Sequence, residues 1–215
     1  MKPSNFRLTV LTLATVALIA GCTTANYKQG AATASALTDS ANRINEGNAS
    51  IDQTLSNLND LVSNPQPDLR KQYGKFSSSV DDLGATQRDV DDKAGNMKAS
   101  GAAYFEKWDL ELSKINNEDI RQRGETRKQD VAARFERIAT RYSDTRAAFQ
   151  PFMSDLRDVQ RFLGTDLTVG GLAASQTFVA KANGDAVPLR DAYAQLAAEF
   201  KGLGLSMSTA GPAKL

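Results

Sequence analysis

The chain has 215 residues, with 26 basic and 25 acidic side chains, no histidine and one cysteine. So even a charge offers no footing for nucleic acid, which needs clustered cations. The missing histidine removes Ser-His-Asp and Cys-His nucleophile systems and the commonest transition-metal ligand. No catalytic residue, metal ligand or cofactor site is therefore assigned, and an enzyme is not expected.

Lys2 and Arg7 open the chain, an apolar run follows from Leu8 to Ile19, and Ala20-Gly21-Cys22 closes it. About a dozen apolar residues make a helix of roughly 18 Å, too short for a bilayer core of about 30 Å. A basic start, a short apolar core and a small-residue site are the marks of a signal peptide. Leu18-Ile19-Ala20-Gly21-Cys22 resembles a lipoprotein signal, with cleavage between Gly21 and Cys22. That resemblance implies a diacylglyceryl group on the Cys22 sulfur and an acyl group on its freed amine. More than one acyl chain gives stable anchoring. Thr23 stands where aspartate would signal inner-membrane retention. The expected place is thus the inner leaflet of the outer membrane of a bacterial envelope, facing the periplasm.

Residues 1–21 are set aside as the signal, and residues 22–36, small and polar, are expected to form a tether of roughly 20 Å if flexible. The later half of this stretch can alternatively join the first helix. The body is expected at 37–205, with 206–215 as a flexible tail.

Within the body, apolar residues recur in alternating steps of four and three, the period of a helical seam. The first seam is Leu37, Ala41, Ile44, Asn48, Ile51, Leu55, Leu58 and Val62. Asn48 on it either fixes register or, with Gly47 beside it, marks a loose turn. Asn64-Pro65-Gln66-Pro67-Asp68 breaks the helix, and Asp68 can cap the next.

The second seam runs from Leu69 through Phe76, Leu83, Val90 and Met97 to Trp108, then shifts to Leu112 and Ile115, a stutter. Residues 116–130 contain one strongly apolar side chain, Ile120, so a turn or a bend is expected there. Asn117-Glu118-Asp119 has the form of a helix start.

A third seam, Val131 to Leu163, contains Pro151, which should kink it, and Gly164 is expected to end it, with Asp166 capping the next helix. The fourth, Leu172 to Leu203, is compatible with one helix or two, and Gly202 and Gly204 are expected to stop it. Nothing alternates with the period of two that a strand needs. The predicted fold is all-α: an elongated helical bundle or folded-back antiparallel coiled coil of about four long helices.

The stretch Tyr104-Phe105-Glu106-Lys107-Trp108-Asp109-Leu110-Glu111-Leu112 holds the only tryptophan. Phe105, Trp108 and Glu111 are candidate partner-binding residues, because aromatic side chains are enriched in binding hot spots. The alternative places Tyr104, Trp108 and Leu112 in the core, with the acids on the wet face. A carboxylate site through Glu111 and Glu118 lacks the histidines that helical dimetal centres use.

This stretch, with Ile115-Asn116-Asn117-Glu118-Asp119-Ile120-Arg121, Pro151-Phe152-Met153-Ser154-Asp155-Leu156-Arg157-Asp158 and Gly164-Thr165-Asp166-Leu167-Thr168, resembles a family of bacterial lipoproteins catalogued as a domain of unknown function, number twenty-nine fifty-nine. The resemblance implies a helical, membrane-anchored protein and carries no catalytic residue. The expected role is a non-enzymatic envelope scaffold or adaptor with an envelope protein as partner. The alternative is a self-associating, membrane-active or membrane-shaping helical protein.

Overall fold

The computed structural model describes residues 25–208. They form four helices, α1 (Ala25–Ser63), α2 (Leu69–Leu112), α3 (Glu118–Thr165) and α4 (Val169–Met207), and no strand occurs among the described residues. At about 1.5 Å per residue the helices are roughly 60–70 Å long. Each packs on two neighbours, α1 on α2 and α4, and α3 on α2 and α4, closing a four-helix ring. No described helix is long and apolar enough to cross a membrane.

Polar contacts fix every neighbouring pair as antiparallel, since residue numbers rise on one helix as they fall on the other. Thr54 donates to the Ser79 carbonyl at 3.0 Å and Asn57 to that of Lys75 at 3.3 Å. Between α1 and α4, Asn48 donates to the Arg190 carbonyl at 3.2 Å, and the amides of Asn59 and Asn183 exchange bonds. Tyr73 reaches the Gln160 carbonyl and Tyr142 reaches Asp91, tying α2 to α3. Arg141 donates to Gln195 at 2.7 Å and Arg127 to the Ser206 carbonyl at 3.1 Å, joining α3 to α4.

Short capped turns allow this up-and-down course. Asp68, Asn117 and Thr168 each accept from a backbone N–H of the first helical turn that follows. Asp166, the residue expected to cap α4, instead accepts from the Thr168 hydroxyl at 2.7 Å and so orients the true cap. Gln72 staples the proline-bearing turn, donating to the Asn64 carbonyl while accepting from the Gln66 N–H at 2.9 Å. The candidate break at 116–130 is a turn over 113–117, after which α3 resumes at Glu118. α2 ends at Leu112, which is buried, and Ile115 lies in the turn.

The seams become the core. The fourth-seam positions Leu172, Ser175, Val179, Ala182, Ala186, Leu189, Tyr193, Leu196, Phe200 and Leu203 are all buried, and Phe76, Leu83, Ile138 and Phe152 are sealed from solvent. Each such side chain contributes about 1.5–3 kcal/mol by leaving water. Leu61 and Thr54 join the core from outside the predicted first seam.

Gly47 is neither loose nor exposed: it is buried, and a Cβ there would lie 2.6 Å from the Tyr193 ring. Gly47 is thus the socket that admits Tyr193, and Asn48 beside it holds the α1–α4 register. At this level a polar belt crosses the core. The Tyr193 hydroxyl donates to Gln87, Gln87 donates to Asp91 at 2.6 Å, and Tyr142 donates to the same Asp91 oxygen at 2.6 Å.

Several boundaries differ from expectation. Of the two readings of 22–36, the one that joins it to the first helix is the closer: the stretch is helical from Ala25, and Thr33 and Ala34 are buried. Ala31, Ala32, Ala34 and Ala36 supply helix propensity, and their small side chains let a neighbouring helix come close. Gly204 does not stop α4, which runs through it to Met207; a Cβ there would stand 2.9 Å from the Ala34 carbonyl, so it marks close approach of α4 to α1. Gly164, expected to end the third helix, is the penultimate residue of α3 and lies against the Tyr73 hydroxyl. Pro151 and Pro188 sit within unbroken helices on exposed positions, where water can satisfy the freed carbonyls. The signal segment, Gly21 and Cys22 lie outside the described residues, as do 209–215 of the tail.

Two outcomes follow for stability. Gly47→Ala should destabilise the bundle by about 1–2 kcal/mol in denaturant unfolding, because the Tyr193 clash outweighs the propensity gain. Gly74→Ala, where nothing lies within 4 Å, should stabilise by about 0.5–1 kcal/mol. Burial and then the bond to Asp91 raise the Tyr142 phenol above its ordinary range, and burial with nearby Asp91 does the same for Tyr193. Raised folded values mean that the fold favours the neutral phenols. Their contribution is intact below the unfolded value of about 10 and is lost as pH climbs past it towards the folded values. In an ultraviolet titration Tyr142 and Tyr193 should therefore ionise only as helicity collapses, and Tyr142→Phe with Tyr193→Phe should remove that late step.

Candidate functional site

α4 ends at Met207, and the carbonyl of its Ser206 accepts from Arg127 at 3.1 Å. Residues 118–126 of α3 therefore run on without α4 beside them, for about 13 Å. This end is a three-helix segment built from the start of α1, the last turns of α2 and the first of α3. Phe105, Trp108 and Glu111 all lie here, one turn apart along α2.

Each is engaged within the chain. Phe105 is half-buried, edge-on to Phe135 of α3 at 5.3 Å between ring centroids. Gly101, one turn earlier, makes the room: a Cβ there would sit 2.7 Å from the Phe135 ring. Trp108 is also half-buried, edge-on to Tyr104 at 5.3 Å. Tyr104 faces Gly30 of α1, and burial raises its phenol value, with Arg127 partly opposing. Glu111 accepts from Lys114 at 2.8 Å. Of the other acids, Asp109 pairs with Lys128 across to α3 and Glu118 with Arg121. The stretch is thus the rim of the core, with an ion-paired outer face, and among the described residues no group of three or more His, Cys, Asp or Glu could hold a metal ion.

Two large apolar side chains beside the turn are open to solvent, Leu110 at 57% and Ile120 at 56%. The opposite end carries a second exposed set, Phe162, Val169 and Phe178. There Phe162, Phe178 and Val159 line a groove of about 230 Å³ between α3 and α4, walled by Asp155, Asp158 and Lys181. Lys181 is held between Asp155 and Asp185, and these hydrogen bonds raise its value and keep it charged. The groove is absent from the predicted site residues. Its signal was present, since Phe162 and Phe178 each stand one place before a seam residue, Leu163 and Val179.

These placements set different costs. Phe105→Ala should lower stability by about 2 kcal/mol in denaturant unfolding, as expected for a half-buried ring. Phe178→Ala should change it by less than about 0.5 kcal/mol.

The family model described as a protein of unknown function (DUF2959) matches residues 28–200, from the first turn of α1 to Phe200 of α4. Comparison with curated proteins finds no match, and comparison with solved structures finds none either. The match spans all four helices and both ends of the ring described above, and the chain belongs to the DUF2959 family.

Proposed function

We propose that this protein is a lipid-anchored envelope scaffold or adaptor and not an enzyme. In this reading diacylglycerol and an N-acyl chain on Cys22 hold it at the inner leaflet of the outer membrane, with the bundle in the periplasm. The observation that carries it is the distribution of exposed apolar side chains. Leu110, Ile120 and Leu205 stand towards one end and Phe162, Val169 and Phe178 towards the other, with Val187 between them, and the core along the length is continuous. A body of this kind suits a strut that makes contacts at its two ends.

A self-associating reading is favoured by one feature, the exposed apolar groove at Phe162 and Phe178, which a second copy could fill.

In-cell photo-crosslinking tests the two together, with the probe placed in turn at Phe105, Trp108, Glu111 and Phe178. The expected result is a discrete adduct with another envelope protein at one or more positions. Self-adducts alone, with a dimer by light scattering, would replace the adaptor by the self-associating form. Absence of any adduct in a strain where the protein is abundant would remove both.

A further inference from the structure

The start of α1 and the α2–α3 turn share one end of the bundle, and this sets how far the turn can stand from a lipid on Cys22. A Cβ on Gly30 would lie 3.8 Å from the Tyr104 ring, so these residues are level across the antiparallel α1–α2 pair. Ala25 is five residues nearer the end, about 7.5 Å at the helical rise, which brings it level with the last turn of α2. From Ala25 back to Cys22 the chain has three virtual bonds, at most about 11 Å however it is arranged. Leu112 packs on Gly124 of α3, so the turn 113–117 and Ile120 project further still towards that lipid.

The surface at this height suits entry into lipid. Leu110 and Ile120 are more than half exposed, and Ile115 lies between them in the turn. The neighbouring charges balance: Lys114 pairs with Glu111 and Arg121 with Glu118, and Asp119 and Arg123 add one of each sign. Insertion of apolar side chains, not attraction to anionic headgroups, would therefore supply the affinity.

We infer that the α2–α3 turn is a second membrane contact, with Leu110, Ile115 and Ile120 seated in the headgroup region of the bilayer that holds the Cys22 lipid. The inference rests on the lipid-anchor reading of Cys22. It makes the bundle a post standing on the membrane at two points, not a body swinging on a single chain.

The test uses the full-length protein processed in cells and reconstituted into phosphatidylethanolamine–phosphatidylglycerol vesicles. Mass spectrometry of the N-terminal peptide first reads the lipid on Cys22. Nitroxide labels are then placed through Leu110→Cys, Ile120→Cys and, at the far end, Val169→Cys, all exposed positions where the fold should survive. Circular dichroism checks that it does. The expected result is that labels at 110 and 120 gain collisions with oxygen and lose them with a water-soluble nickel chelate, while the label at 169 does neither. High salt should leave this pattern unchanged. Labels at 110 and 120 that match 169 on a protein with lipidated Cys22 would overturn the contact and leave the anchor standing. An unmodified Cys22 would overturn both.

Discussion

None of the four helices can bury its apolar stripe alone, and that mutual dependence governs the architecture. A seam in steps of four and three leaves one narrow face of each helix in need of cover. With three short turns, the one arrangement that covers all four faces at once is a ring of antiparallel neighbours. The glycine sockets refine it. Tyr193 entering at Gly47, Phe135 at Gly101 and the Tyr73 hydroxyl at Gly164 are large groups received where a neighbouring helix has no side chain. Such pairs fix the axial register more firmly than general hydrophobicity, because a shift of one residue turns a fit into a collision. The polar belt from Tyr193 through Gln87 to Asp91 and Tyr142 acts in the same direction, since slippage would bury those groups without partners.

The helical seams were legible in the sequence because they depend on period alone. The Pro65–Pro67 break, the Asp68 cap and the helix start at Asn117 were legible because they are local backbone chemistry. Features that require a partner helix were not. Gly204 reads as a stop in isolation, whereas in the bundle it is a place of close approach to α1. Gly47 beside Asn48 read equally well as a weak turn until Tyr193 arrived from a helix well over a hundred residues away. The first turns of α1 were hidden by composition, since small and polar residues serve a linker and a closely packed helix alike.

The candidate site divides in the same way. Phe105 and Trp108 are recognisable in sequence as an aromatic cluster, but sequence cannot say whether their rings face a partner or their own core. The packing against Phe135 and Tyr104 gives them structural work and moves attention to what remains uncovered nearby. Phe162 and Phe178 were legible as rings one place off their seams, but the groove they form was not, because it lies between two helices whose pairing no local pattern specifies. Membership of a family without an assigned activity leaves the chemistry of the surface as the guide to role.

One property of the ring bears on mechanics. The N-terminal end of α1 and the C-terminal end of α4 lie together, while the far end consists of two closed turns, 64–68 and 166–168. A load applied at those turns, against a hold at the start of α1, would act along the helix axes. It would strain the interlocked side chains of α1 against α2 and α4 in shear, many at a time, instead of peeling them apart in sequence. The same load applied sideways would meet the contacts one layer at a time. The fold thus resists tension along its length better than across it.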